Sequence, residues 1–374
     1  MKIIKILSGN DDGGVFTCER QYIEILKANN IFVFGIILGK GNSYDEYKEI
    51  VDEYIEIPAN DAYFGGNLRN RLKNINLAYK YGKSQLEKVL PKLREYKFEA
   101  VFYRRVPFLF FGGLIGKKLN TPTYWHMPTA VNDTYSYLFY NLFLRIFKVQ
   151  PIANSEYTKQ TMGGLCKYVL YPGYNPQRIV NGIEKYRTQL KISEKASVFG
   201  IVGRIDRQKA QDIVIKAFVE SDAIKEGNHL IIAGGYIDEN YFEQVKSAAG
   251  KYFGTQVHYI GKISDINNFF ASIDVMINGR INAEPFGISI AESLGAGIPV
   301  IAYNLGGPTE MVIPHKTGWL IDKSDAEHYK KAINTALADR NNWSAMSDMC
   351  KQHSRKFTVS ENVEKLIQII STEK

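Results

Sequence analysis

Short runs of β-branched and aromatic residues alternate with helical stretches along this chain, and the alternation happens twice. The first series of predicted strands is Lys2–Leu7, Ile31–Leu38, Ala100–Tyr103, Thr123–His126 and Pro151–Asn154. The second is Val198–Val202, His229–Ala233, Val257–Ile260, Asp274–Ile277 and Pro299–Ala302. Helical patterns such as Phe16–Ala28, Gln208–Glu220 and Ile288–Leu294 fall between them. Several strands are continuous apolar runs, as parallel strands covered on both faces are. The fold class is therefore α/β, with two doubly wound domains. A polar, charged stretch, Glu184–Lys195, separates the two series and reads as a linker. The expected organisation is one domain over residues 1–185, a second over 186–355, and a last amphipathic helix within 356–374. Ligands of such sheets collect beyond the carboxyl ends of the strands, so the cleft between two facing domains is the default active site.

Composition removes other classes. A chain of 374 residues, 45% hydrophobic and 23% charged, can bury a large core without disulfide or metal staples. Its three cysteines, Cys18, Cys166 and Cys350, are far apart and odd in number, which excludes a disulfide scaffold and a zinc ribbon. Their use fits a reducing, cytoplasmic location. The N-terminal apolar segment is too short for a signal peptide, and the longest apolar run, Phe108–Gly116, is about half a membrane span. Membrane contact is therefore expected to be peripheral. No internal repeat or low-complexity segment is present.

The net charge of +8 is uneven. Arg69, Arg71, Lys73, Lys80, Lys83, Lys88, Lys92, Arg94 and Lys97 face only Glu87 and Glu95. A solvated helix face, an anionic lipid surface and a nucleic-acid footprint all fit such a window. The aromatic stretch Tyr135–Phe147 follows in the same half of the chain. It is apolar nearly all round, as a buried core helix is, and it also suits docking on an anionic membrane.

The motifs with chemistry cluster in the second half. Glu284-Pro-Phe-Gly-Ile-Ser-Ile-Ala-Glu292 places one carboxylate before a turn and another about five residues into the following helix. The turn at Pro285 and Gly287 exposes helix N-terminal N–H groups at Phe286, Gly287 and Ile288, suited to a phosphate or a sugar hydroxyl. A surface glutamate before an ordinary helix would look the same. Gly203, Arg204 and Lys209 follow a strand and open a helix. Two cations there suit a diphosphate, although solvated loop charges give the same pattern. Gly13-Gly14 follows the first strand, where glycine lets backbone approach a ligand or simply turn. His126 ends a strand, either reaching into the cleft or lying in the core. Nothing signals a metal: Asp-x-Asp, His-Glu-x-x-His and EF-hand patterns are absent, as is a Gly-x-Ser-x-Gly nucleophile elbow.

Together these stretches resemble the retaining, family-4 glycosyltransferases of GT-B fold (glycosyl transferases group 1). The resemblance rests on Gly203-Arg204…Lys209, Glu284-Pro-Phe-Gly…Glu292 and Ala291-Glu-Ser-Leu-Gly-Ala-Gly-Ile-Pro-Val300. It continues through Gly306-Gly-Pro-Thr-Glu310 and His315-Lys-Thr-Gly-Trp-Leu320, with Ala153-Asn-Ser-Glu-Tyr-Thr158 in the first half. It is dense over Ser197–Asp322 and fragmentary before that.

The resemblance implies a hexosyltransferase that uses a UDP- or GDP-linked sugar as co-substrate, with no metal or other cofactor. Arg204 and Lys209 would neutralise the diphosphate. Glu284 and the N–H groups of Phe286, Gly287 and Ile288 would hold the sugar. Glu292 would take the ribose hydroxyls, and the base would lie near Gly261–Ile263. His126 would face the sugar, and Gly14 the phosphates or acceptor. The last helix would cross back to the first domain. A glycan or lipid-linked acceptor is implied, with a role in polysaccharide, glycolipid or glycoconjugate synthesis, and nucleic acid is not.

Three departures stand out. Ala210 occupies a position where the family often has glycine. Tyr171-Pro-Gly-Tyr-Asn-Pro176 replaces the usual hinge sequence, and Asp11-Asp12 precedes Gly13. A nucleotide-sugar epimerase or hydrolase, and a non-catalytic membrane or nucleic-acid adaptor on the same fold, remain alternatives.

Overall fold

A computed structural model describes residues 1–59, 68–180 and 182–372, with side chains over 68–72 left undescribed. The chain forms two units, Met1–Gly173 with Val359–Lys374, and Tyr174–Thr358. All strand pairs within both sheets are parallel.

The first unit has a seven-stranded sheet in the order β3-β2-β1-β4-β5-β6-β7. Its strands are β1 (Lys2–Ser8), β2 (Phe32–Leu38), β3 (Glu53–Ile57), β4 (Ala100–Tyr103), β5 (Thr123–His126), β6 (Val149–Ala153) and β7 (Tyr168–Val169). Helices α1 (Gly13–Ala28) and α2 (Tyr44–Ile50) form one layer with the C-terminal helix. Helices α3 (Leu68–Leu93), α4 (Leu109–Leu119) and α5 (Thr134–Phe147) form the other, and α6 (Glu156–Thr161) follows β6. This division is what right-handed crossovers impose when the strand order reverses after β3. Ile4, Ile6, Val101 and Tyr103 pack against Leu86, Val89, Phe110 and Phe143 of the α3–α5 layer.

The second unit has a six-stranded sheet in the order β10-β9-β8-β11-β12-β13. Its strands are β8 (Val198–Val202), β9 (His229–Ala233), β10 (Val257–Tyr259), β11 (Val275–Asn278), β12 (Val300–Tyr303) and β13 (Gly318–Ile321). Its helices are α7 (Lys185–Gln189), α8 (Gln211–Glu220), α9 (Asp222–Lys225), α10 (Glu239–Ala249), α11 (Ile266–Ala271), α12 (Ile288–Gly295), α13 (Pro308–Met311), α14 (Ala326–Ala338) and α15 (Trp343–Ser354). Helices α8, α10 and α14 cover one face, with Phe199, Ile232, Ile277 and Ile301 beneath them.

Unit boundaries differ from the sequence expectation of 1–185, 186–355 and 356–374. The charged stretch after residue 183 is part of the second unit, because buried backbone and charge partners hold it there. Arg187 donates to Asp274 at 2.6 Å and to the Ser272 carbonyl at 3.1 Å. The last helix, α16 (Val359–Thr372), belongs to the first unit. There it packs on α1, and Asn362 Oδ1 accepts from the Tyr171 N–H at 2.9 Å.

Strand β1 carries a fully buried lysine. Lys5 points to the α1 side of the sheet and pairs with Glu19, itself buried. Arg104, just beyond β4, reaches the same carboxylate at 3.0 Å. Burial pushes the Glu19 carboxyl up, but the charges of Lys5 and Arg104 outweigh it, leaving it below the ordinary range. Burial lowers the Lys5 ammonium. Removing the anion would strand two cations in the interior. Glu19→Gln is expected to cost about 3–5 kcal/mol in urea unfolding. Because Lys5 sheds its proton more readily when folded, the loss should shrink as pH rises. A loss under about 1 kcal/mol at neutral pH would contradict this account of the cluster.

Candidate functional site

The loops that leave β10, β9, β8, β11 and β12 line up along one edge of the second sheet, and glycines let them pass closely. Gly203 has φ of +143° and donates to the Ala233 carbonyl at 3.0 Å. Gly234 has φ of +151°, and a Cβ there would lie 1.9 Å from the Gly203 oxygen. Gly234 also donates to the Gly261 carbonyl at 2.8 Å. Half-buried Ile263 follows in that third loop.

Arg204 is largely exposed beyond β8, its Nε 2.8 Å from Asp206. Asp206 caps the following turn by accepting from the N–H groups of Gln208 and Lys209. Ala210 then sits at φ of +49°, a left-handed conformation that glycine adopts without strain. Glycine, the residue the resemblance leads one to expect there, would fit this conformation without strain.

Lys209 Nζ lies 2.8 Å from Glu284 Oε2, which joins two of the residues singled out from sequence. The Glu284 side chain is mostly buried. Arg280 Nη1 is 3.5 Å from the same oxygen, and its Nε donates to Asn282 at 2.8 Å. Motif reading missed Arg280, because it lies in an irregular segment between β11 and α12 with no spacing signature.

The backbone of Glu284 is pinned by the loop that follows β12. Its N–H donates to the Leu305 carbonyl at 3.3 Å, and its carbonyl accepts from Gly307 at 2.8 Å. A Cβ on Gly306 would lie 2.2 Å from the Glu284 oxygen, and one on Gly307 equally close to the Phe286 oxygen. Phe286 is buried beside Phe357. Gly287 caps α12 at φ of +100°, leaving the first N–H groups of that helix without intrahelical acceptors.

Glu292 is the fifth residue of α12. Part of its side chain reaches solvent, yet burial pushes its carboxyl up to about 7, with the charge of Arg178 pulling the other way. Among the described residues no hydrogen bond or ion pair holds that carboxyl.

The first unit treats its predicted residues differently. Gly13 and Gly14 are exposed where α1 begins, Gly13 at φ of +49°. Asp11 is turned inward: Arg105 lies at 2.6 Å and the Tyr47 hydroxyl donates at 2.9 Å. Burial raises the Asp11 carboxyl, with Arg105 opposing. This aspartate serves the loop's own structure.

His126 is fully buried, so the expected reach into open space is not what the structure has. Its Nε2 is 2.7 Å from the Leu170 carbonyl, and its ring packs near Tyr22 and Phe102. Burial, with the nearby Arg104, pushes its pKa well down and keeps the ring neutral. Strand alternation turns His126 inward with the α1 layer, where Lys5 and Arg104 already make the interior polar. No group of His, Cys, Asp and Glu among the described residues is arranged to hold a metal ion.

Similarity to known proteins agrees with this architecture. HepE of Anabaena, solved with UDP and glucose, superposes over all of both chains with a TM-score of 0.77 at 20% identity. A glycosyltransferase from Rickettsia africae covers 99% of this chain and 98% of its own at a TM-score of 0.80 and 19% identity. The fold is therefore GT-B. Residues 182–357, a little under half of the chain, match the family described as glycosyl transferases group 1. Among curated relatives, D-inositol 3-phosphate glycosyltransferase of Corynebacterium urealyticum is 24% identical over 54% of this chain. The alpha-1,3/1,6-mannosyltransferase ALG2 of Rhizomucor pusillus is 27% identical over 53%. The chain spans about half the length of these relatives, 50% of each.

The raised Glu292 pKa has a measurable sign. Between the ordinary value of 4.5 and about 7, the folded protein keeps a proton that the unfolded chain has released. Stability therefore falls as pH rises through that window. Glu292→Gln should unfold at higher temperature than wild type at pH 8 and at the same temperature near pH 4. An offset equal at both pH values would contradict a perturbed Glu292.

Proposed function

We propose that this chain is a retaining, family-4 hexosyltransferase that moves a sugar from a UDP- or GDP-linked donor to an acceptor hydroxyl. The observation that carries the reading is the alignment of the three glycine loops, Lys209–Glu284 and the α12 N-terminus along one sheet edge. At about 4.8 Å per strand, the loops after β10 and β11 are separated by roughly 14 Å. That length suits an elongated ligand better than a small anion.

In this reading the base lies by Gly261–Ile263 and the diphosphate between Arg204, Lys209 and the α12 N–H groups. Glu292 accepts from ribose hydroxyls, and Glu284 from the sugar. The bond between the anomeric carbon and the phosphate oxygen breaks, and the electron pair leaves with the nucleoside diphosphate. Fixed cations and N–H dipoles stabilise that charge without rearranging. The acceptor oxygen attacks the same face of an oxocarbenium-like sugar, and its proton passes to the leaving phosphate. The first unit supplies the acceptor site, for a glycan or lipid-linked glycan. Gly14 keeps the loop before α1 open to approach.

Titration calorimetry of UDP, GDP and ADP should show one nucleotide bound preferentially, and Arg204→Ala should weaken it by about 10-fold or more. Glu284→Ala should lower transfer by roughly 100-fold or more while the fold persists. Sugar released to water at the same rate with and without acceptor would instead mark a hydrolase, and unchanged turnover in the Glu284 variant would overturn the site.

A further inference from the structure

Helix α5 is only half buried. Phe143 and Leu144 enter the core, whereas Tyr135, Leu138, Leu142 and Ile146 are 71%, 57%, 62% and 51% exposed. At 3.6 residues per turn these four side chains fall within about 80° of arc, so they form one continuous apolar stripe on the solvent side. Scattered exposed leucines need no explanation, but a stripe three turns long does.

The stripe does not end at α5. Phe139 touches Phe110 of α4 with ring centroids 6.3 Å apart, and Phe110 meets Tyr79 of α3 edge-on at 5.9 Å. Tyr79 and Leu77 are themselves 42% and 49% exposed. An aromatic path thus joins the α5 stripe to the outer side of α3. That side carries the exposed lysines Lys73, Lys80 and Lys83, and exposed Arg145 borders the stripe on α5. The predicted basic residues Arg69 and Arg71 lie among those whose side chains are undescribed. Apolar side chains flanked by cations on one helical layer match a bilayer surface with anionic headgroups. The apolar groups enter the acyl boundary while the lysine stems lie along it and keep their charges at the phosphates. No described helix is long and apolar enough to cross a membrane, so contact at this face would be interfacial.

We propose that the α3–α5 layer docks the protein on an anionic phospholipid bilayer, with α5 lying in the interface plane. The proposal deepens the acceptor reading above, since the acceptor-binding unit would then sit at a lipid surface and meet a lipid-linked glycan there.

The test is flotation of the full chain with phosphatidylcholine vesicles, with and without phosphatidylglycerol. Wild type should float with the anionic vesicles at low salt, less at physiological salt, and little with phosphatidylcholine alone. Leu138→Ser, Leu142→Ser and Ile146→Ser combined should lower the bound fraction roughly 10-fold. Lys80→Ala and Lys83→Ala, on a different helix, should each lower it about fivefold. Thermal unfolding and nucleotide binding of these variants should match wild type. That readout is independent of lipid, so a failure of nucleotide binding would strike the transferase reading alone. Wild type that stays unbound at low salt, or a triple variant that floats as well as wild type, would overturn the proposal. So would a concentration-dependent dimer in sedimentation that the triple variant abolishes, because the stripe would then belong to a second copy.

Discussion

The passage of Gly306 and Gly307 against the backbone of Glu284 and Phe286 is the contact on which the sheet edge of the second unit depends. Any Cβ at either glycine would overlap a carbonyl oxygen. Without that contact the segment before α12 would lose both backbone bonds at Glu284. Its carboxylate would no longer meet Lys209, and Gly287 would not start the helix where it does. The all-parallel sheet supplies the rest of the constraint. Every strand delivers its carboxyl end to the same edge, so loops distant in sequence become neighbours there.

The two units solve the problem of buried charge in different ways. In the first, Lys5 and Arg104 are enclosed around the one carboxylate of Glu19, and Asp11 is matched to Arg105. These pairs fix how β1, β4 and the loop before α1 meet, and the cations Arg104 and Lys5 add to burial in keeping His126 neutral. In the second, the charges are less enclosed. Glu284 shares two cations, Arg204 stands in solvent, and the Glu292 carboxyl is desolvated with only Arg178 to favour its charge. In the proposed reading, groups left open in this way are the ones a ligand would complete.

Much of the fold was legible because parallel strands are apolar runs. Ala100–Tyr103, Thr123–His126, Val198–Val202 and His229–Ala233 coincide with β4, β5, β8 and β9. Sequence reading passed over β3, β7 and β13, the last a four-residue apolar run, Gly318–Ile321, at the margin of the second sheet. Strand β3 alternates glutamates with apolar residues at the sheet margin, and β7 has two residues. Lys209 and Glu284 were each singled out by their own motifs, though not as partners of one another, whereas Arg280 was not singled out, since its contact depends on the irregular path of the chain between β11 and α12. The sequence left His126 either in the cleft or in the core, because its acceptor, the Leu170 carbonyl, follows β7 and only the sheet order brings it near β5. Likewise Asp11 finds Arg105 only because β4, which Arg105 follows, lies beside β1.

The charge arrangement at the edge of the second unit also bears on how a donor would be discriminated. Arg204, Lys209 and Arg280 stand against Asp206 and Glu284, an excess of one positive charge before any ligand arrives. An acceptor-only carboxylate like Glu284 would repel a diphosphate placed beside it. In the proposed reading, two cations on one oxygen would screen that repulsion in advance and leave the other oxygen to take sugar hydroxyls. Arg280 would thus let a carboxylate and an anionic ligand occupy adjoining positions. The α12 N-terminus adds a dipole of the same sign in the same place. The positive field is therefore built into fixed elements of the fold, whereas the groups that would read hydroxyls, Glu284 and Glu292, are the acidic ones.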